Sequence, residues 1–350
     1  MKRIPTFDGL RGFAILLVLY DHCPKLGDSF VANVINHMGN VWEVGYWGVE
    51  CFFALSGYLI TSIYLHDKQQ DTFSVKRFYI KRFLRIFPVY YLAILVVALV
   101  LDHRFLGYLL TYTSNFLFAF ELSAHPLRQT WSLAVEEHFY LVFPWLMHYV
   151  SVKKLVHLSG WLIPLSCVVA AILTTIYVVY PLSFDLIYRA TPYRLFSISM
   201  GVFIALNYVD IKAIVDKYHR WLWIIWIIVI LLCPFLYKFF FPHRPYAVYR
   251  LIWFGILGVL TLLNTIPFRS QANVWMKLLS WPVLQFIGKI SYGIYLVHYP
   301  IYYVFGLSPM QTSMTTQPLL VLWAILISIA LATVSYYLIE KPILRWKDHL

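Results

Sequence analysis

The chain has 350 residues, 61% of them hydrophobic and only 13% charged, with a mean hydropathy of +0.70. That balance excludes a soluble globular domain and points to a polytopic membrane protein. The net charge of +12 would suit nucleic acid if it were clustered; it is scattered among loops between apolar runs, which excludes nucleic acid and fits loops beside anionic lipid headgroups.

Length and periodicity predict an all-α, polytopic bundle of about ten membrane-spanning helices. The spans lie near 8–25, 45–66, 84–101, 130–150, 155–180, 191–208, 221–241, 247–266, 285–306 and 318–340. The stretch 105–120, interrupted by Gly107, Ser114 and Asn115, is too short to cross and is expected to be re-entrant or interfacial. No linker, low-complexity tract or internal repeat divides the chain, so one transmembrane domain over 1–350 is expected, without a soluble domain. The first helix carries Asp8 and Arg11 and no small-residue cleavage site, so it reads as a resident span. Most of the 28 Lys and Arg residues fall on one side of this topology, which places both termini in the cytoplasm. Cys23, Cys51, Cys167 and Cys233 have neither paired nor metal-ligand spacing and read as small apolar side chains; no metal is expected.

The first helix opens Phe7-Asp8-Gly9-Leu10-Arg11-Gly12 and ends at Asp21-His22. His22 lies eleven positions after Arg11, about 1100° of helix and about 16 Å of rise, so both side chains share one face. Ionisable groups inside a span are functional candidates. The plainer reading has Arg11 snorkelling to lipid phosphate and His22 ending the helix.

In the second helix, Ser56 and Gly57 are small residues that let a neighbour approach, or Ser56 lines a polar pocket. The third follows Lys76, Arg77 and Lys81 with Arg82 and Arg85, i,i+3 neighbours on one face. Such a pair binds a phosphate, whether of a lipid headgroup or of a nucleotide. The fourth carries adjacent carboxylates, Glu136 and Glu137, about 100° apart, so they cannot aim at one point. Whichever faces the cavity would orient an imidazole and raise its basicity. Arg189, Tyr193, Arg194, Arg244 and Arg250 mark boundaries that suit an acidic acceptor or a headgroup. Ser291, Tyr295 and His298 form a polar stripe in the ninth helix. Glu340, just before Lys341-Pro342, is expected to pair with Arg82 or Arg85.

Taken in order, five segments resemble the integral-membrane acyltransferase family 3, which includes bacterial O-acetylases of lipopolysaccharide and peptidoglycan-type glycans. They are Asp8-Gly9-Leu10-Arg11-Gly12 with His22; Gly48-Val49 with Phe52-Phe53-Ala54-Leu55-Ser56-Gly57; Arg82-x-x-Arg85 with Pro88; Trp131-Ser132-Leu133 with Glu136 and Phe139-Tyr140; and Ser291-Tyr292 with Tyr295-Leu296-Val297-His298, followed by Glu340-Lys341-Pro342. Glu50 stands where the family usually has aspartate, and His138 where a large polar or aromatic residue is usual.

The resemblance implies that Arg11 and His22 are catalytic together with Glu136, and that Arg82 and Arg85, with Arg11, bind the phosphates of acetyl-CoA or another acyl-CoA. It implies a protein of the cell inner membrane that moves a short acyl group to a hydroxyl of a glycan or lipid-linked saccharide at the outer side. His22 then serves as general base with Glu136 orienting it. Asp8, Ser56, Glu137, Tyr295 and His298 are further site candidates. Many relatives carry an extracytoplasmic domain of the SGNH hydrolase type; without one, the acceptor is expected to be handled by the membrane domain or a partner protein. Two other readings suit the same residues: a proton-coupled carrier without chemistry, and acylation of a small secreted metabolite. Acceptor, acyl chain and oligomeric state are not readable from the sequence.

Overall fold

A computed structural model of the protein describes residues 4–23, 44–120, 124–179, 188–189, 191–240, 246–266, 274–307 and 318–347. All regular structure among them is helical. Pro5 opens α1 (Pro5–Asp21), where its missing N–H is no loss. After α2 (Val44–Gln69) the chain turns, and the Ser74 side chain caps α3 (Val75–Val100) by accepting the Arg77 N–H at 3.4 Å.

The stretch expected to be re-entrant is two short helices, α4 (Leu106–Leu110) and α5 (Ser114–Phe120), of five and seven residues. Phe105 and Tyr112, at φ 61° and 54°, break the chain on either side of α4. Tyr90 and Tyr91 on α3 donate to the Leu109 and Leu110 carbonyls at 2.8 and 3.0 Å, fastening α4 to α3. Beyond α3, Arg104 grips Asp102 with bonds of 2.6 to 3.1 Å and holds that carboxyl below its usual range. His125, whose burial pushes its imidazole down, accepts the Leu127 N–H on Nδ1 and turns Nε2 toward Asp102 at 3.9 Å.

A 3₁₀ turn (Arg128–Thr130) leads into α6 (Trp131–Tyr149), followed by α7 (Val152–Val179), α8 (Thr191–Leu206) and α9 (Tyr208–Phe240). The segment expected as a loop before residue 221 is helix. Its opposite charges, Asp210, Lys212, Asp216 and Lys217, wind onto a solvated helical face, and α9 leaves α8 at a 94° bend. After α10 (Tyr246–Thr265) come α11 (Val274–Leu279), α12 (Pro282–Lys289) and α13 (Ser291–Val304). The span expected over 285–306 is therefore two helices, divided at Ile290 (φ −97°, ψ 6°). The last run is α14 (Pro318–Ser335), a π turn (Tyr336–Glu340) and α15 (Lys341–Lys347).

Three of the described helical runs are long and apolar enough to cross a membrane: Val44–Gln69, Val75–Val100 and Pro318–Trp346; the bent pair across α8 and α9 makes up to four. Leu99 on α3 is 77% exposed and Leu319 on α14 is 62% exposed. Apolar faces so open belong against lipid, not water.

Helix α2 packs against α1, α8 and α10. It crosses α8 at two glycines: a Cβ at Gly57 would strike the Ile198 carbonyl, and one at Gly201 the Ala54 carbonyl. Backbones meet here, as small residues permit in membrane helices. Helix α1 is gripped the same way, since Gly288 of α12 leaves no room for a Cβ beside the Asp8 carbonyl. One ion pair is buried within this packing. Arg194 of α8, 1% exposed, donates to Glu50 of α2, which also accepts from Ser197.

Two outcomes follow for thermal unfolding in detergent. Gly57→Leu or Gly201→Leu forces the α2–α8 backbones apart and lowers the melting temperature sharply, whereas Gly107→Ala, with open space around its Cβ position, leaves it unchanged. Glu50→Ala strands the buried Arg194 cation and costs about 3–5 kcal/mol, while Glu50→Leu combined with Arg194→Met restores much of the loss.

Candidate active site

His22 follows the last residue of α1 with helical backbone angles, so the helical phase from Arg11 carries through to it. Its Nδ1 lies 2.9 Å from Nε2 of His298, with ring planes 9° apart. His298 is fully buried on α13, and its Nδ1 lies 3.1 Å from the Ile294 carbonyl. Tyr299 meets the His22 ring edge-on at 5.4 Å between centroids.

His22 opens onto a cavity with Asp21, Gln129, Trp131, Tyr188, Arg189, Tyr295 and Tyr299 in its wall. Pro300 explains part of this wall. Lacking an N–H, it leaves the Leu296 carbonyl without its helical donor, and the Gln129 amide donates there at 3.2 Å. Tyr295 completes the strap: its hydroxyl donates to the Gln129 carbonyl at 2.7 Å and lies 2.6 Å from the Ser132 hydroxyl. The 3₁₀ turn and the start of α6 are thereby tied to α13 beneath the two histidines.

The arginine pair lines a second, smaller cavity, together with Tyr64, Asp67, Ser74, Arg77 and Lys81. Arg85 is exposed within it. The Arg82 guanidinium lies over the Tyr140 ring at 4.6 Å. Arg11 and Arg82 are the positive charges that bear on Arg85, with Glu136 opposing them. Arg11 also bonds Asp8, buried one turn earlier, at 3.3 Å. Glu340 sits in the π turn with Arg85 as its charged neighbour, but the two form no ion pair among the described residues, and Glu340 Oε1 is buried without a hydrogen-bond partner.

Glu136 differs from expectation. Its carboxylate accepts from Ser56 at 2.8 Å and from Tyr140 at 3.4 Å, and Arg82 and Arg85 are the cations that act on it. Glu137 likewise has Arg82 as its charged neighbour. The ring partner of His22 is thus an imidazole, not a carboxylate. The physical reason is that α6 directs both carboxylates toward the α3 arginines, while the face of α13 carrying His298 meets the end of α1. Ser56 donates to Glu136 and lines neither of the two cavities, while Gly57 beside it makes the helix crossing.

Arg194 was expected at a ligand-facing boundary. Its guanidinium is instead committed to Glu50 and to the Tyr188 carbonyl, the latter at 2.7 Å. Arg189 does face the His22 cavity and donates to the Phe118 carbonyl. Arg244 and the side chains of Tyr193, Arg250, Cys167 and Cys233 lie outside the described residues. Sequence reasoning missed Gln129 as a wall residue; its position two residues before Trp131-Ser132-Leu133 was the available signal.

Comparison with known proteins bears on the whole of this architecture. The acyltransferase family 3 model, described as an acyltransferase domain, matches residues 4–338. Peptidoglycan O-acetyltransferase OatA of Listeria monocytogenes is 31% identical over 98% of this chain and 56% of its own length. A candidate peptidoglycan O-acetyltransferase of Bacillus subtilis, YrhL, is 29% identical over 98% of this chain and 55% of its own. A candidate O-acetyltransferase of Staphylococcus aureus strain COL is 27% identical over 98% and 57%. The chain spans little more than half the length of these curated relatives. No solved structure matches it. With the family match running through every segment that builds the two cavities, the chain belongs to the integral-membrane acyltransferase family 3.

Proposed function

We propose that the protein is a multi-pass O-acyltransferase of the cytoplasmic membrane, with about ten spans and both termini inside. It moves an acetyl or other short acyl group from acyl-CoA to a hydroxyl of a glycan or lipid-linked saccharide at the outer face. The observation that carries this reading is a pair of cavities, one basic and lined by α2 and α3, the other built around His22 at the end of α1. The excess of Lys and Arg on the basic side is the ground for placing it in the cytoplasm.

The residues of the basic cavity fit the phosphates of a CoA donor. Arg77, Lys81, Arg82 and Arg85 converge there, and guanidinium forks match phosphate oxygens. An acyl-CoA supplies an activated acyl group as a thioester. Glu136, held by Ser56 and Tyr140, offsets the mutual repulsion of the arginines. At the other end, His22 takes the proton of the acceptor hydroxyl. Aromatic walls from Trp131, Tyr188 and Tyr299 suit the faces of a sugar ring. A glycan acceptor is also what the names of the relatives state for those proteins.

The test is acyl transfer and CoA release by purified protein in detergent, given acetyl-CoA and a peptidoglycan-derived glycan. His22→Ala abolishes turnover while leaving the melting temperature in place. Arg82→Ala and Arg85→Ala raise the KM for acetyl-CoA about tenfold, roughly 1.4 kcal/mol of lost phosphate binding. Full activity in His22→Ala, or failure of folded wild-type protein to bind acetyl-CoA, overturns the reading.

A further inference from the structure

We propose that His298 is the positioning residue for His22: it holds His22 with the ring proton on Nδ1 and so presents the Nε2 lone pair to the cavity. The inference rests on the reading of His22 as a general base.

Two distances carry it. A carbonyl oxygen has no proton to give, so His298 Nδ1, 3.1 Å from the Ile294 carbonyl, must be the donor of that bond. A neutral imidazole has one ring proton. His298 Nε2 is then a bare lone pair, and the 2.9 Å contact between the rings is donated by His22 Nδ1. A doubly protonated His298 would reverse the second bond. It would also place a cation in a site with no exposure, ringed by Tyr295, Tyr299, Tyr302 and His22. No carboxylate bonds that ring among the described residues, and a buried charge without a partner is strongly disfavoured.

The chain of bonds is therefore Ile294 carbonyl, His298, His22, cavity. It performs the task a buried aspartate performs beneath a catalytic histidine, using a neutral group. An unrestrained imidazole in water carries its proton mainly on Nε2, which would leave the base facing the wrong way. In the reaction, His22 Nε2 takes the acceptor hydroxyl proton as the new oxygen–carbon bond forms. The carbon–sulfur bond breaks, and His22 returns that proton to the departing sulfur. While His22 carries both protons, its Nδ1–H bond to His298 becomes charge-assisted and stronger.

The experiment is ring ¹⁵N NMR on ¹⁵N-histidine-labelled full-length protein in bilayers. His22→Asn identifies the His22 signals among those of the 12 histidines. The wild type shows both His22 and His298 as neutral Nδ1–H tautomers. His298→Phe moves His22 to the Nε2–H form, and His298→Gln, whose side-chain oxygen can accept the Nδ1 proton, keeps it on Nδ1. In the transfer assay His298→Phe lowers kcat about a hundredfold with the acetyl-CoA KM unchanged, and His298→Gln recovers at least a tenth of wild-type kcat. An Nε2–H His22 in wild type, or an unchanged His22 tautomer in folded His298→Phe, overturns the proposal. Intact tautomers in a wild-type protein that transfers no acyl group overturn the functional reading and leave the histidine pair standing.

Discussion

The His22 cavity depends on a charge that never reaches it. Arg194 lies under the aromatic wall, 3.8 Å from the Tyr188 ring centroid and 5.5 Å from that of Trp131, with Glu50 and Ser197 closing the pair beneath. Both rings line the cavity. Removing two ions from water costs several kcal/mol each, recovered only while the geometry stays closed. The pair therefore ties α2 to α8 at one relative position, and the glycine crossing at Gly57 and Gly201 fixes the same two helices a few turns away. With that frame rigid, Tyr188 and Trp131 stand where the wall needs them.

Between the two cavities the protein is apolar. Ile15, Val18, Leu19, Phe53, Ile294 and Leu296 belong to one buried apolar cluster that fills the middle of α1 and its neighbours. A basic site and a histidine pair thus lie to either side of this cluster, with apolar side chains between them. Such packing keeps the two cavities as separate environments.

What could be read in advance was local. Arg11 and His22 follow from a period of 3.6 residues on one uninterrupted helix, and Arg82 with Arg85 from an i,i+3 spacing; the structure builds a cavity at each. The partners across helices were not legible. His298 is 276 residues from His22, and periodicity assigns each a face without saying which faces meet. Glu136 shows the same limit: its depth in α6 was readable, while its direction toward Ser56 and the arginines depends on how α2, α3 and α6 cross. Glu50 and Arg194 were visible only as a departure from a pattern and as a boundary residue. Their union needed tertiary contact, as did the break at Ile290, where tertiary packing divides a run that is apolar throughout.

The π turn at Tyr336–Glu340 widens one helical turn, which brings Glu340 round to Arg85 and to Gly293, whose missing Cβ would lie 3.2 Å from its carboxylate. The consequence is an asymmetry between kinds of genetic change. Many residues of α14 face outward, among them Leu322, Trp323, Leu326 and Leu331, and exchange of one lipid-facing side chain for another costs little there. Loss of a single codon from α14, with the widened turn retained, would swing Glu340 through about 100°, away from the arginine. For this helix, length is the inherited quantity, and composition is the free one.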